Sequence, residues 1–365
     1  MNNHKPRPYF PNLDGLRFFA FLFVFISHSI LFLLDGELYL AQGDLGVSFF
    51  FVLSGFLITY LLFHEKEESR GYIKLTHFYA RRILRIWPVY FLVIFFCIII
   101  SKLNLSHLPY EIHFDNSSWS WYTGFIANFY LIRYTTVSAL VAVLWSISVE
   151  EQFYFIWPLV LIMIKRKYIP YLLSLIIILA SVFRYLHSGD YKQISYSTFS
   201  VVSDLAVGSL IGYFAYYIPS FSERIKSYFS KKFIYAIYIS LILFIYIKMF
   251  PHKFIPDSLI SLYTAILPVI FSNIFGLIIL EQNYGAHSFY KASKIKIATY
   301  LGKISYGLYA YHMIAIALTF SILKTLNVNS RILTTIFSLV FTIIMSHLSF
   351  RYIESKILKL KSKVS

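Results

Sequence analysis

Long apolar runs separated by short polar segments make up most of the chain. A helix needs about 20 mostly apolar residues to cross a bilayer. Runs of roughly that length recur at 15–34, 42–62, 86–101, 142–164, 168–186, 197–218, 233–250, 259–280, 298–323 and 330–352. Continuous runs without strict alternation read as helices, and a helix satisfies its own backbone in lipid. The pattern predicts an all-α integral membrane protein: one polytopic bundle of about ten transmembrane helices, spread over residues 1–365 as a single domain. Trp121–Ile132 is shorter and more polar than the other runs, and is expected to lie at the interface or re-enter.

Composition agrees. The chain is 58% hydrophobic and only 14% charged, where a soluble domain carries about 25% charged residues. A net charge of +16 could suggest nucleic acid, but the positions of the charges argue against it. With the N-terminus inside, 22 of the 33 Lys and Arg fall on cytoplasmic segments. These are Lys5 and Arg7, Lys66 to Arg85, Lys165 to Lys167, Arg224 to Lys232, Lys291 to Lys296, and Lys356 to Lys363. That asymmetry is the positive-inside pattern and predicts both termini in the cytoplasm. The surplus is then topological, with some attraction to anionic headgroups, and no nucleic-acid partner is expected. Cys97 stands alone in an apolar run, so neither an intrachain disulfide nor a thiolate metal site is expected. No cleavable leader is apparent, because the first apolar run leads straight into another. The outer loops are short, which places any chemistry within the membrane or at its edge.

Ionisable residues inside spans are costly and are functional candidates by default. Arg17 and His28 share the first run, 11 residues apart. That is about 16 Å of rise and about 20° of rotation, so both lie on one helix face. The alternative is an Arg snorkelling to the inner headgroups and a His bonded to a neighbouring helix. In FYARRILRIWPVY, Arg82 and Arg85 share a face and Arg81 flanks them. Planar guanidinium forks suit phosphate, although a bare basic cluster also serves as a headgroup anchor. In WSISVEEQFYFIWP, Glu150 and Glu151 sit inside a span about 100° apart, so one of them faces any given cavity. His28, at similar depth, is the candidate partner for such a carboxylate, against a structural hydrogen bond as the alternative. Second-rank candidates are Asp14, Ser54, Glu151, Ser305 and His312. The small residues Gly46, Ser54 and Gly55 read by default as close helix packing. Asp204 with Gly208 also reads as structural.

Taken in order, LDGLRFFAFLFVFISH, GVSFFFVLSGFL, FYARRILRIWPVY, WSISVEEQFYFIWP and LGKISYGLYAYH closely resemble the motifs of the acyltransferase-3 family. These are membrane acyltransferases that include bacterial O-antigen and exopolysaccharide O-acetyltransferases. The strings run from residue 13 to 312. The resemblance implies a multi-pass protein of a bacterial inner (plasma) membrane. It implies acetyl-CoA or another acyl-CoA as cytoplasmic co-substrate, no bound cofactor, and a glycan or lipid-linked glycan acceptor reached from the other face. Carried over by motif, His28 is the catalytic histidine, Arg17 its motif partner, Arg81, Arg82 and Arg85 the acyl-CoA-recognising cluster, and Glu150 the acid of the WSxSVE string. Two positions depart from the family pattern. Ser200, Val201 and Val202 stand where many relatives carry an Arg shortly before the equivalent of Asp204, which puts a donor or acceptor contact there in doubt. Glu354 is followed by Ser355 and Lys356, without the usual proline.

The implied route has the arginines holding the CoA phosphates at the inner mouth and the thioester arriving near His28. His28, oriented by a carboxylate such as Glu150, would take the acceptor's proton. A covalent acyl-His28 route is the other possibility. Two different readings stay open at this point: an acyltransferase acting on peptidoglycan, a lipid or a small molecule, and a transporter or flippase of lipid-linked glycans.

Overall fold

A computed structural model of the protein describes residues 8–33, 42–102, 113–218 and 220–360. Lys5, Arg7, Lys361 and Lys363 of the expected basic segments, and Leu34 at the end of the first expected span, lie outside the described residues. No strand occurs among the described residues.

The long helices are α1 (Pro11–Leu33), α2 (Gly43–Glu68), α3 (Leu75–Lys102), α4 (Trp145–Met163), α5 (Ile169–Leu186), α6 (Thr198–Tyr217), α7 (Lys231–Met249), α8 (Ile260–Tyr284), α9 (Ser305–Thr325) and α10 (Arg331–Ser349). Nine helical stretches among the described residues are long and apolar enough to cross a membrane by length and composition. They coincide with the second to tenth expected runs; α1 covers the first without being one of the nine. Two boundaries differ from expectation. α3 starts at Leu75, well before the expected 86, so the arginines of FYARRILRIWPVY ride on the same helix as the span. The run expected at 298–323 is broken at Ile304 into Lys296–Lys303 and α9.

Burial along α10 is inverted relative to a soluble protein. On α10 the buried positions are Thr334, Ser338, Thr342, Ser346 and Ser349, while Ile332, Ile336, Phe337, Val340, Ile344 and Leu348 are exposed. α5 shows Tyr171, Leu175, Ile178, Leu179, Val182 and Leu186 outwards. Small and polar residues inside with bulky apolar ones outside are what a lipid-facing helix requires.

The chain divides into two compact units. One comprises residues 1–20, 44–74 and 153–302. Its apolar core gathers Leu13, Phe49, Val52, Phe56, Phe271 and Phe275, with the Phe49 and Phe275 rings stacked at 4.6 Å. Here α2 and α6 touch through glycine: a Cβ on Gly55 would collide with the Leu205 carbonyl, and one on Gly208 with the Val52 carbonyl. Gly55 is therefore a packing residue, and so is Gly208. At the end of α8, Gln282 joins Asn12 and the 290s segment: Asn12 donates to the Gln282 carbonyl (2.8 Å), and the Ala292 amide donates to Gln282 Oε1 (2.8 Å).

The other unit comprises residues 21–43, 75–152 and 303–365. α9 packs along α10, where Gly307 faces Ser346. The Trp121–Ile132 segment forms two short helices, Trp119–Thr123 and Ala127–Arg133, joined at Phe125 with a left-handed φ of 52°. Neither is long enough to span. Gln152 clasps the turn, its Nε2 donating to the Phe125 carbonyl (2.8 Å) and to Asn128 Oδ1 (2.9 Å). After α10 the helix widens into a π-turn over Phe350–Glu354 and continues as Ser355–Leu360. With no proline there to break it, the helix does not stop at Glu354.

Candidate active site

Eight of the eleven sequence candidates belong to the second unit: His28, Arg81, Arg82, Arg85, Glu150, Glu151, Ser305 and His312. Its centre is a pair of histidines. His28 Nδ1 stands 2.8 Å from His312 Nε2, with the ring planes 22° apart. His312 is fully buried, and its Nδ1 lies 2.6 Å from the Tyr309 carbonyl one turn earlier on α9. Phe21 closes on the His312 ring edge-on. The Tyr309 hydroxyl donates to the Val143 carbonyl (3.0 Å) and shares a 2.7 Å hydrogen bond with Ser146 Oγ. The WSISVE segment is thereby tied to α9. A histidine, where the sequence reading had placed a glutamate, is the partner of His28.

The carboxylates take other contacts. Glu151 Oε2 accepts from Trp87 Nε1 of α3 at 3.0 Å, and its Oε1 is buried without a hydrogen bond among the described residues. Glu150 is half-buried on the same helix, while the next side chain, Gln152, serves the Phe125 turn. One turn of α4 therefore sends Glu151 to α3 and Gln152 to the short helices, as rotation of about 100° per residue requires.

Arg81, Arg82 and Arg85 are half-buried on α3, with Arg82 5.8 Å over the Phe78 ring. The Tyr306 hydroxyl donates to the Ile86 carbonyl (2.9 Å), which joins this part of α3 to the start of α9. Ser305 is buried at the first position of α9. The π-turn brings Glu354 back into the bundle, where Ser349 Oγ donates to Glu354 Oε1 (3.1 Å) and the Tyr311 hydroxyl bonds Ser349 Oγ (3.0 Å).

Asp14, Arg17 and Ser54 belong to the first unit. Arg17 pairs with Asp14 at 3.2 Å, three residues earlier on α1, and the Tyr9 hydroxyl donates to the other Asp14 oxygen at 2.7 Å. That hydrogen bond, with partial burial and the neighbouring negative charge, pushes the Tyr9 phenol up to about 12. Ser54 is half-buried on α2, next to the glycine contact with α6.

Arg184 was missed by sequence reasoning, because near the end of a run it reads as an interfacial charge. It is only 1% exposed. Its guanidinium donates to the carbonyls of Ala265 (3.0 Å) and Ser200 and to the hydroxyls of Ser203 (3.0 Å) and Ser181 (3.1 Å). Asp204 lies within its electrostatic reach and accepts from Ser272 Oγ. α5 thus delivers an arginine to the surroundings of Asp204, where the sequence just before Asp204 has none. Arg184 falls on the same face of α5 as the buried Leu173 and Ala180.

A family described as an acyltransferase domain matches residues 10–350. The peptidoglycan O-acetyltransferase OatA of Listeria monocytogenes is 30% identical, covering 97% of this chain and 56% of its own length. The O-acetyltransferase OatA of Staphylococcus aureus is 28% identical, covering 98% of this chain and 58% of its own length. The chain thus spans less than three fifths of the length of these curated relatives. No solved structure matches it.

Proposed function

Because the chain belongs to the acyltransferase-3 family of membrane acyltransferases, we propose that it transfers an acyl group, acetyl by default, from cytoplasmic acyl-CoA to a hydroxyl of a cell-surface glycan. The observation that carries this reading is a partial grouping of the motif residues, from which Arg17 stands apart in the first unit. His28 and the three arginines of α3 belong to one compact unit, alongside the WSISVE glutamates.

The half-buried arginines of α3 supply charge-assisted donors for the phosphates of CoA. His28, the reacting base, takes the proton of the acceptor hydroxyl. The freed oxygen attacks the thioester carbonyl carbon, the C–S bond breaks, and CoA leaves as a thiolate that recovers the proton from His28. The exposed apolar faces of α5 and α10 suit helices held in lipid. Among glycans, peptidoglycan stands alongside the O-antigen and exopolysaccharide acceptors first considered, since one relative is named a peptidoglycan O-acetyltransferase.

Purified protein in proteoliposomes, given acetyl-CoA labelled in the acetyl group and muropeptide or polysaccharide acceptors, tests the reading. Label on the acceptor together with free CoA is the expected result. Binding or movement of a glycan with the thioester left intact would instead indicate a transporter.

A further inference from the structure

The histidine pair has a proton arrangement that its contacts dictate. A carbonyl oxygen only accepts, so the nitrogen 2.6 Å from the Tyr309 carbonyl, His312 Nδ1, carries a hydrogen. A neutral imidazole has one N–H, which leaves His312 Nε2 as a bare acceptor. That acceptor faces His28 Nδ1 at 2.8 Å, a separation that holds one proton between the two nitrogens. With both rings neutral the proton belongs to His28 Nδ1, and the lone pair of His28 falls on Nε2, which makes no hydrogen bond among the described residues. In histidine the hydrogen bond at one ring nitrogen sets the state of the other.

We infer that His312 is the positioning residue that fixes His28 as the Nδ1–H tautomer and so leaves its Nε2 lone pair to act on the acceptor hydroxyl. This rests on the reading of His28 as the base. His312 needs no contact with substrate for this role. Its own orientation comes from the Tyr309 carbonyl, and Tyr309 is held in turn by Val143 and Ser146. The SISVE and SYGLYAYH strings therefore act together on one ring nitrogen, although they are more than 150 residues apart. When His28 Nε2 takes the proton, the Nδ1–H bond to His312 remains in place, so the imidazolium keeps an acceptor without a carboxylate beside it.

Two measurements on the full chain in lipid nanodiscs test this. Nitrogen-15 NMR of histidine-labelled protein, with His28 assigned by its loss in His28→Gln, should show the proton on Nδ1 and a bare Nε2. A proton on Nε2 in the wild-type protein would overturn the inference whatever any variant does. In kinetics, His312→Asn keeps a donor for the Tyr309 carbonyl but removes the acceptor for His28, whereas His312→Gln returns an acceptor near the Nε2 position. A fall in kcat of about 10- to 100-fold is expected for His312→Asn, as for other orienting partners. KM for acetyl-CoA should be unchanged, and His312→Gln should recover part of the loss. An inactive His28→Ala with a fully active His312→Asn would overturn this inference alone. Transfer surviving in His28→Ala would remove the base reading itself.

Discussion

At the scale of single residues the account rests on a base and on a cluster of donors. His28→Ala is expected to reduce transfer to background while the protein still inserts, checked by acetyl transfer alongside size-exclusion elution in detergent. Arg85→Ala should weaken acyl-CoA binding about 10- to 100-fold, the equivalent of about 1.5–3 kcal/mol for a hydrogen bond to a charged group. Unchanged donor affinity by calorimetry would remove Arg85 from the donor site. Tyr9 offers a pH test. Its phenol is raised from the ordinary 10 to about 12, so the Tyr9–Asp14 bond stabilises fully below pH 10 and is lost as pH rises through about 12. A difference absorbance titration of the protein against Tyr9→Phe should show one phenol ionising near 12; a midpoint near 10 would mean that the bond to Asp14 is absent. Much at this scale was legible in the sequence, because an ionisable residue in an apolar run stands out on cost alone. His28 and Arg17 are singled out that way, and His312 as a second-rank candidate. The pairing of His28 with His312 was not legible, since no spacing within one helix reports which distant helix supplies a partner. Arg184 goes unmarked in the sequence because a charge near the end of an apolar run is ordinary there, while the structure turns its helix face inwards.

At the scale of elements, periodicity and length were enough to locate the helices, but not the joints between them. The second to tenth runs are helices where expected, and Trp121–Ile132 is too short to span. The break at Ile304 and the π-turn at Phe350–Glu354 left no mark in hydropathy. Glycine shows how closely α2 and α6 approach. Gly208→Ala drives a Cβ into the Val52 carbonyl, a backbone atom with little freedom to move, and should cost about 1–3 kcal/mol as overpacking. Gly189→Ala, with open space around it, is the matched control. Thermal unfolding followed by tryptophan fluorescence should separate the two. Equal midpoints would show that α2 and α6 are further apart than described.

At the scale of the whole molecule, the inverted burial on α10, the family match over residues 10–350 and the placing of His28, the α3 arginines and the WSISVE glutamates in one unit support the same reading. The helices and the proposed acyl transfer have different foundations: the first follow from run length and hydropathy, the second is argued from ordered motifs around a histidine. The acceptor is the part on which the sequence is quietest, because sugar recognition needs only a few hydroxyl-bonding side chains and leaves no periodic trace. The most direct test is mass spectrometry of muropeptides and surface polysaccharides from cells that lack the protein, complemented with either the wild-type chain or His28→Ala. The account predicts one extra acyl mass on a glycan repeat with the wild-type chain and none with the variant. Glycans identical in both strains, or acylation that persists with His28→Ala, would contradict it.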